Sequence, residues 1–159
     1  PMMRGVDVVI ANEEDLQSVL GIHVPDTDVT SGQLDLAGFR QAAGEVSRDF
    51  GASFVAITLR ESLSASDNGW SAVLWDAKAG RMEQSQRYDV RLVDRIGGGD
   101  SFAAGLIYGL ATGRPPADAL RFAVGASALK QTIPGDFNRV SVDEIDRLVA
   151  GDASGRVQR

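Results

Sequence analysis

Two short β-branched runs, "VDVVI" at 6–10 and "SFVAITL" at 53–59, flank a segment with helical spacing, and this arrangement limits the fold more than any other feature. Apolar runs of that length without alternation read as strands buried on both faces. Between them Leu36, Phe39, Ala43, Val46 and Phe50 recur at helical intervals, and Gly51 closes the pattern. A strand, a helix and a strand make a βαβ unit, whose strands are expected to be parallel and whose crossover right-handed. Asn12 is placed to cap a further helix over 13–20, with Leu16, Val19 and Leu20 on one face and Gly21 as its exit. Residues 22–34 are turn-rich and read as a loop. The fold class is therefore α/β.

The middle of the chain changes character. "WSAVLWD" (70–76) alternates weakly, "KAG" (78–80) is a turn signal, and 81–94 is extended by composition, so 70–92 reads as a hairpin or meander. Three helical segments follow: 101–112 ending at Gly113, 116–131 opened by Pro115 and Pro116, and 141–149. The last opens with the capping box Ser141-Val142-Asp143-Glu144. Residues 151–159 read as a flexible tail.

The totals exclude several classes of function. A length of 159 residues fits one domain or a large piece of one, and 43% apolar with 24% charged residues is ordinary for a soluble globular protein. A net charge of −6 speaks against a nucleic-acid or acidic-membrane binder, although a nest of amides can hold a small phosphorylated ligand without a basic surface. The absence of Cys excludes a disulfide framework, a thiolate metal site and a cysteine nucleophile. His23, the one imidazole, follows a helix exit and is expected at the surface or in a capping role. No apolar run approaches the roughly 18 residues of a membrane helix, and no signal peptide precedes the first strand. The expectation is a cytoplasmic protein.

"DRIGGGDSFAAGLIYGL" (94–110) carries the chemistry. Three consecutive glycines are costly to order, so they point to backbone that approaches something closely or takes positive φ. Ahead of a helix, their amides and the positive end of the helix dipole favour an anion. Neither the Walker loop nor the G-x-G-x-x-G spacing is present. Asp100 would repel a phosphate seated in the loop, and makes sense as the acceptor of a hydroxyl proton during phosphoryl transfer. Alternatively Asp100 is a helix N-cap and the glycines only make a tight turn.

"DRIGGGDSFAAGLI" resembles the D-x-x-G-A-G-D-x-F signature of the ribokinase-like (PfkB) carbohydrate kinases. "VDVVIANEED", "AITLRESLSASDNGWSAVLWD" and "ALKQTIPGDFN" are similar to the bacterial 2-keto-3-deoxygluconate kinases within that family. The resemblance implies a three-layer, Rossmann-like ribokinase fold with a mostly parallel sheet. It also implies that residues 1–150 are the C-terminal, nucleotide-binding half of a longer kinase whose N-terminal half carries most sugar contacts. Gly97, Gly98 and Gly99 would form the anion hole for the transferred phosphoryl group and Asp100 the catalytic base. Asn12 and Asp15 match an N-x-x-E element that organises Mg²⁺ near ATP, with Asp15 one methylene short and so reaching the ion through water. For Glu13 and Glu14 complementation of the helix dipole is preferred. Thr58, Arg60 and Ser62 fall at a strand end and loop beside the nucleotide, where many members have T-x-G-x-x-G; Arg60 would pair with phosphate or lie on the base, or be an exposed loop arginine. Val124 falls near the adenine, with helical core as its alternative. Asp94 and "TIPGDFN" (132–138) resemble the chain segments that hold a monovalent cation in some relatives.

The leading expectation is a half of an ATP-dependent sugar-acid kinase that phosphorylates 2-keto-3-deoxygluconate to its 6-phosphate, inactive alone. A fructokinase or ribokinase type is the alternative within the family, and a non-catalytic nucleotide-binding fragment the alternative outside it. A third reading, an interaction module exposing the face its other half would cover, predicts a homo-oligomer.

Overall fold

In the computed structural model, residues 3–22 and 36–151 are described. The elements run β1 (Val8–Asn12), α1 (Glu13–Leu20), α2 (Leu36–Phe50), β2 (Phe54–Ser62), β3 (Asp67–Asp76), β4 (Arg81–Gln84), β5 (Tyr88–Arg91), α3 (Gly98–Ala111), α4 (Pro116–Lys130) and α5 (Val142–Gly151). The strands follow the order β1-β2-β3-β4, with β5 also pairing with β3. The pairing is mixed: β1 and β2 are parallel, β3 and β5 antiparallel. His23, most of the expected 22–34 loop and the tail beyond Gly151 lie outside the described residues. Among the described residues no helix is long and apolar enough to cross a membrane.

The chain divides into two compact units, residues 1–59 with 73–83, and residues 60–72 with 84–159. The first holds the βαβ unit. Asn12 pairs with Thr58 and Val8 with Phe54 in one parallel register. Phe39, Ala43 and Val46 of α2 are fully buried, as are Val55 and Ile57 of β2 and Leu16 of α1. Each large side chain buried there contributes about 1.5–3 kcal/mol, which holds together a helix and strands that would not persist alone. Gly21 and Gly51 take left-handed φ of 67° and 82° where α1 and α2 end, as their places after the last apolar positions require.

The second unit begins with the end of β2. A turn returns the chain to β3: Leu63 and Ser64 both donate N–H to the Asp67 carbonyl at 3.0 Å, and Ser64 Oγ donates to Asp67 Oδ2 at 2.7 Å. Helices α3 and α4 cross closely through small residues. A Cβ on Gly105 would stand 2.9 Å from Ala123 Cα, and one on Gly109 2.8 Å from Ala119 Cα. Helix α5 packs Ile145, Leu148 and Val149 against Gly125 of α4. Its capping box is formed: Ser141 N donates to Glu144 Oε2 at 2.8 Å, and Glu144 N to Ser141 Oγ at 3.3 Å. Arg114 donates twice to Asp146, at 2.7 and 2.9 Å, tying the end of α3 to α5.

Candidate functional site

In the first unit Asn12 both ends β1 and caps α1. Its Oδ1 accepts the Asp15 N–H at 2.7 Å, and Asp15 Oδ2 accepts the Asn12 N–H at 3.0 Å. The N-x-x-D element is thus a capping box, with one Asp15 oxygen taken up by backbone. Glu13 and Glu14 complete an acidic first turn. Thr58, half-buried, lies beside Asn12 in the parallel ladder. The loop expected for Arg60 and Ser62 is not there: β2 continues through Ser62 because β3 pairs alongside it. Thr58, Arg60 and Ser62 therefore alternate along one strand and share its face, with Arg60 and Ser62 exposed.

In the second unit the glycine run opens α3 three residues earlier than the expected start at residue 101. Gly97 is the N-cap at φ 76°, and no side chain caps the helix. Asp100 is thus not an N-cap but the third helical residue, exposed and without a hydrogen-bond or ion-pair partner among the described residues. The three glycines are held for three different reasons. A Cβ on Gly97 would collide with the Asp136 carbonyl oxygen and stand 2.8 Å from Asp136 Oδ1. Gly98 is buried against Gln131, donates its N–H to Arg95 O at 3.3 Å and accepts Ser127 Oγ at 2.8 Å. Gly99 alone is open: a Cβ there would meet nothing within 4 Å. The first-turn amides of Gly99 and Asp100 have no intrahelical acceptor, so the open end of α3 presents donors and a free carboxylate side by side.

Asp94 ties this loop to the next. Its Oδ1 accepts the Ile96 N–H at 3.0 Å and its Oδ2 the Gly135 N–H at 2.9 Å. The Ile96 bond, then the Gly135 bond, and the charge of Lys130 hold the Asp94 carboxyl below its usual range. The N–H groups of Val93 and Asp94 both donate to Gln131 O, at 2.9 and 3.2 Å. Val124 is fully buried within α4. Sequence reasoning passed over three residues. Ser127 fastens Gly98, Asn138 Nδ2 donates to Ser101 Oγ at 2.8 Å, and Lys130 is fully buried with no hydrogen-bond partner for Nζ. A signal for Lys130 existed: it follows Phe122 and Ala126 at intervals of four, on the apolar face of its helix.

A family model described as pfkB family carbohydrate kinase matches residues 2–138. The chain belongs to this family. The 2-dehydro-3-deoxygalactonokinase of Haloferax volcanii is 29% identical over 150 residues, which are 94% of this chain and 40% of that protein. The crystal structure of 2-dehydro-3-deoxygluconokinase from Thermotoga maritima is 45% identical, with a TM-score of 0.86 over 95% of this chain and 44% of that one. Phosphofructokinase-2 of Escherichia coli, solved in complex with potassium, shares the fold at 19% identity, with a TM-score of 0.70 over 94% of this chain and 42% of that one. The fold is that of the ribokinase-like α/β kinases. The chain spans less than half the length of the relatives it matches.

Proposed function

We propose that the chain is the C-terminal, nucleotide-binding half of an ATP-dependent sugar kinase acting on a 2-keto-3-deoxy sugar acid such as 2-keto-3-deoxygluconate. The observation that carries this reading is the open end of α3: an exposed, unpaired Asp100 beside the free amides of Gly99 and Asp100. Complementing the helix dipole, which a first-turn carboxylate does in any helix, does not require three glycines in front of it and an open approach to it. A phosphoryl-transfer site does, because Asp100 takes the proton of the attacking primary hydroxyl as the new O–P bond forms and the bond to the ADP leaving group breaks. The amides stabilise the charge that grows on the transferred group without having to reorganise. The names of the gluconate and galactonate kinases among the relatives support the sugar-acid class.

Asn12 and Thr58 in the first unit, and Arg60 and Ser62 in the second, are the residues we assign to the nucleotide, whereas Val124, fully buried within α4, packs as helical core. Among the described residues no group of three or more His, Asp or Glu is arranged to hold a metal. Asp15 keeps one carboxylate oxygen outside its capping box, and we assign it to the water shell of the Mg²⁺ that accompanies ATP, an ion that would neutralise charge on the phosphate oxygens.

Calorimetric titration of the chain with MgATP tests the reading, and binding is the expected result. In a polypeptide that supplies the sugar-binding half as well, Asp100→Ala should abolish phosphorylation of 2-keto-3-deoxygluconate while leaving MgATP affinity unchanged or slightly improved. A variant that keeps most of its rate would remove Asp100 from the mechanism.

A further inference from the structure

Four buried side-chain atoms have no hydrogen-bond partner among the described residues: both amide atoms of Asn68, the indole N–H of Trp70, and Lys130 Nζ. The last is the most costly, because an ammonium removed from water loses far more than an amide does. Lys130 leaves the last turn of α4 and its Cε lies 3.2 Å from where a Cβ on Gly97 would be, a point also 2.8 Å from Asp136 Oδ1. The segment 94–97 and the loop after α4 meet beside it. Asp94 fastens them by accepting the Ile96 and Gly135 N–H groups, and Ile133 N returns to Lys130 O at 3.1 Å.

This is the neighbourhood, Asp94 and residues 132–138, in which the family resemblance places a monovalent cation. The residues present do not fit one. Ile96 brings no side-chain ligand, and a fixed ammonium nearby repels a second cation at any separation of a few ångströms.

We propose that Lys130 is a built-in cation: its buried ammonium stands in for a dissolved monovalent ion beneath Gly97 and keeps the glycine loop positively poised and ordered without potassium. Lys130 touches no reacting atom in this arrangement and acts as a positioning residue, through Gly97 and Asp94. Its effect on nucleotide binding rests on the kinase reading above; its effect on the loop does not.

The test compares the 159-residue chain with Lys130→Ala in potassium chloride and in tetramethylammonium chloride at equal ionic strength. By thermal unfolding, the original chain should melt at the same temperature in both salts, within about 1 °C. Lys130→Ala should melt at least about 4 °C lower in tetramethylammonium and recover part of that loss in potassium, which takes up the vacated place. An original chain that gains stability from potassium overturns the proposal, and this arm needs no variant to fold. So does a Lys130→Ala chain that melts at the same temperature in the two salts, the result for an ammonium that is merely trapped. Titration with MgATP adds a second readout: affinity independent of potassium in the original chain, and roughly tenfold weaker in Lys130→Ala, partly restored by potassium. If the original chain melts as expected yet binds no MgATP, the reading that this half binds nucleotide by itself fails while Lys130 stands as a structural cation.

Discussion

At the scale of single residues, the glycine run separates two demands that its sequence merges. Gly97 is required by the protein itself, since its φ of 76° and the Asp136 carbonyl leave no room for a side chain. Gly97→Ala should therefore cost about 1–3 kcal/mol from backbone strain alone, read as a lower unfolding midpoint in urea. Gly99 has open space around it and an ordinary φ, so nothing in this chain asks for glycine there. Gly99→Ala should leave stability within about 0.5 kcal/mol, yet weaken MgATP binding by roughly tenfold if phosphate comes close to the backbone. An alanine at Gly99 that changes neither quantity would reduce the run to a tight turn. The need for glycine at position 97 was legible in the letters because a left-handed φ is unfavourable for nearly every residue that carries a Cβ. The separate reasons were not, because they depend on Asp136, Gln131 and Ser127, which lie about thirty residues or more further along and reach the loop only through tertiary packing. Lys130 was hidden for the same reason: a lysine at a helix end ordinarily reads as a solvated cap partner.

At the scale of elements, the helices were the most legible part of the chain. The spacing of Leu36, Phe39, Ala43, Val46 and Phe50 matches the observed span of α2, and the capping boxes at Asn12 and Ser141 are where the start signals placed them. Strand ends were less legible, since β2 runs to Ser62 only because a neighbour pairs beside it, information that Arg60 and Ser62 do not carry themselves. The packing of α3 on α4 gives a prediction at this scale. Alanine is the better helix former by up to about 1 kcal/mol, but at Gly105 or Gly109 its methyl group would stand 2.9 or 2.8 Å from backbone of α4. Overpacking of that kind costs about 1–3 kcal/mol, so Gly105→Ala and Gly109→Ala should each lower the melting temperature. Gly44→Ala in α2 is the control: its nearest neighbour would be Trp75 Cζ2 at 3.9 Å, and it should be neutral or stabilising. A control that falls as far as the other two would mean that glycine is needed for reasons other than contact.

At the scale of the whole molecule, the charge balance sets how the chain responds to acid. The chain carries a net charge of −6, and Asp146 and Asp94 both have carboxyls held below the ordinary value of 3.8: Asp146 by hydrogen bonding to Arg114, Asp94 by the Ile96 and Gly135 N–H groups. A carboxyl with a depressed folded value binds fewer protons in the native chain than in the unfolded one. Stability from such groups is complete above the unfolded value and is lost as the pH falls through it toward the depressed one. The melting temperature should therefore be flat near neutral pH and fall below about pH 5. Asp146→Asn removes one contributor: it should lower the plateau slightly, because the pair is partly exposed and weakened by solvent, and make the acid limb shallower. Asp94→Asn should do more, since its amide would turn an N–H toward the N–H of Ile96 or Gly135, and loosening of the two segments would carry to the mouth of α3. MgATP affinity should then fall in Asp94→Asn at pH 7 and stay unchanged in Asp146→Asn, which lies on α5 and, among the described residues, bonds to Arg114. Equal losses of affinity in the two variants would show that general stability, and not the tie between the Asp94 and Gly135 segments, governs the open end of α3.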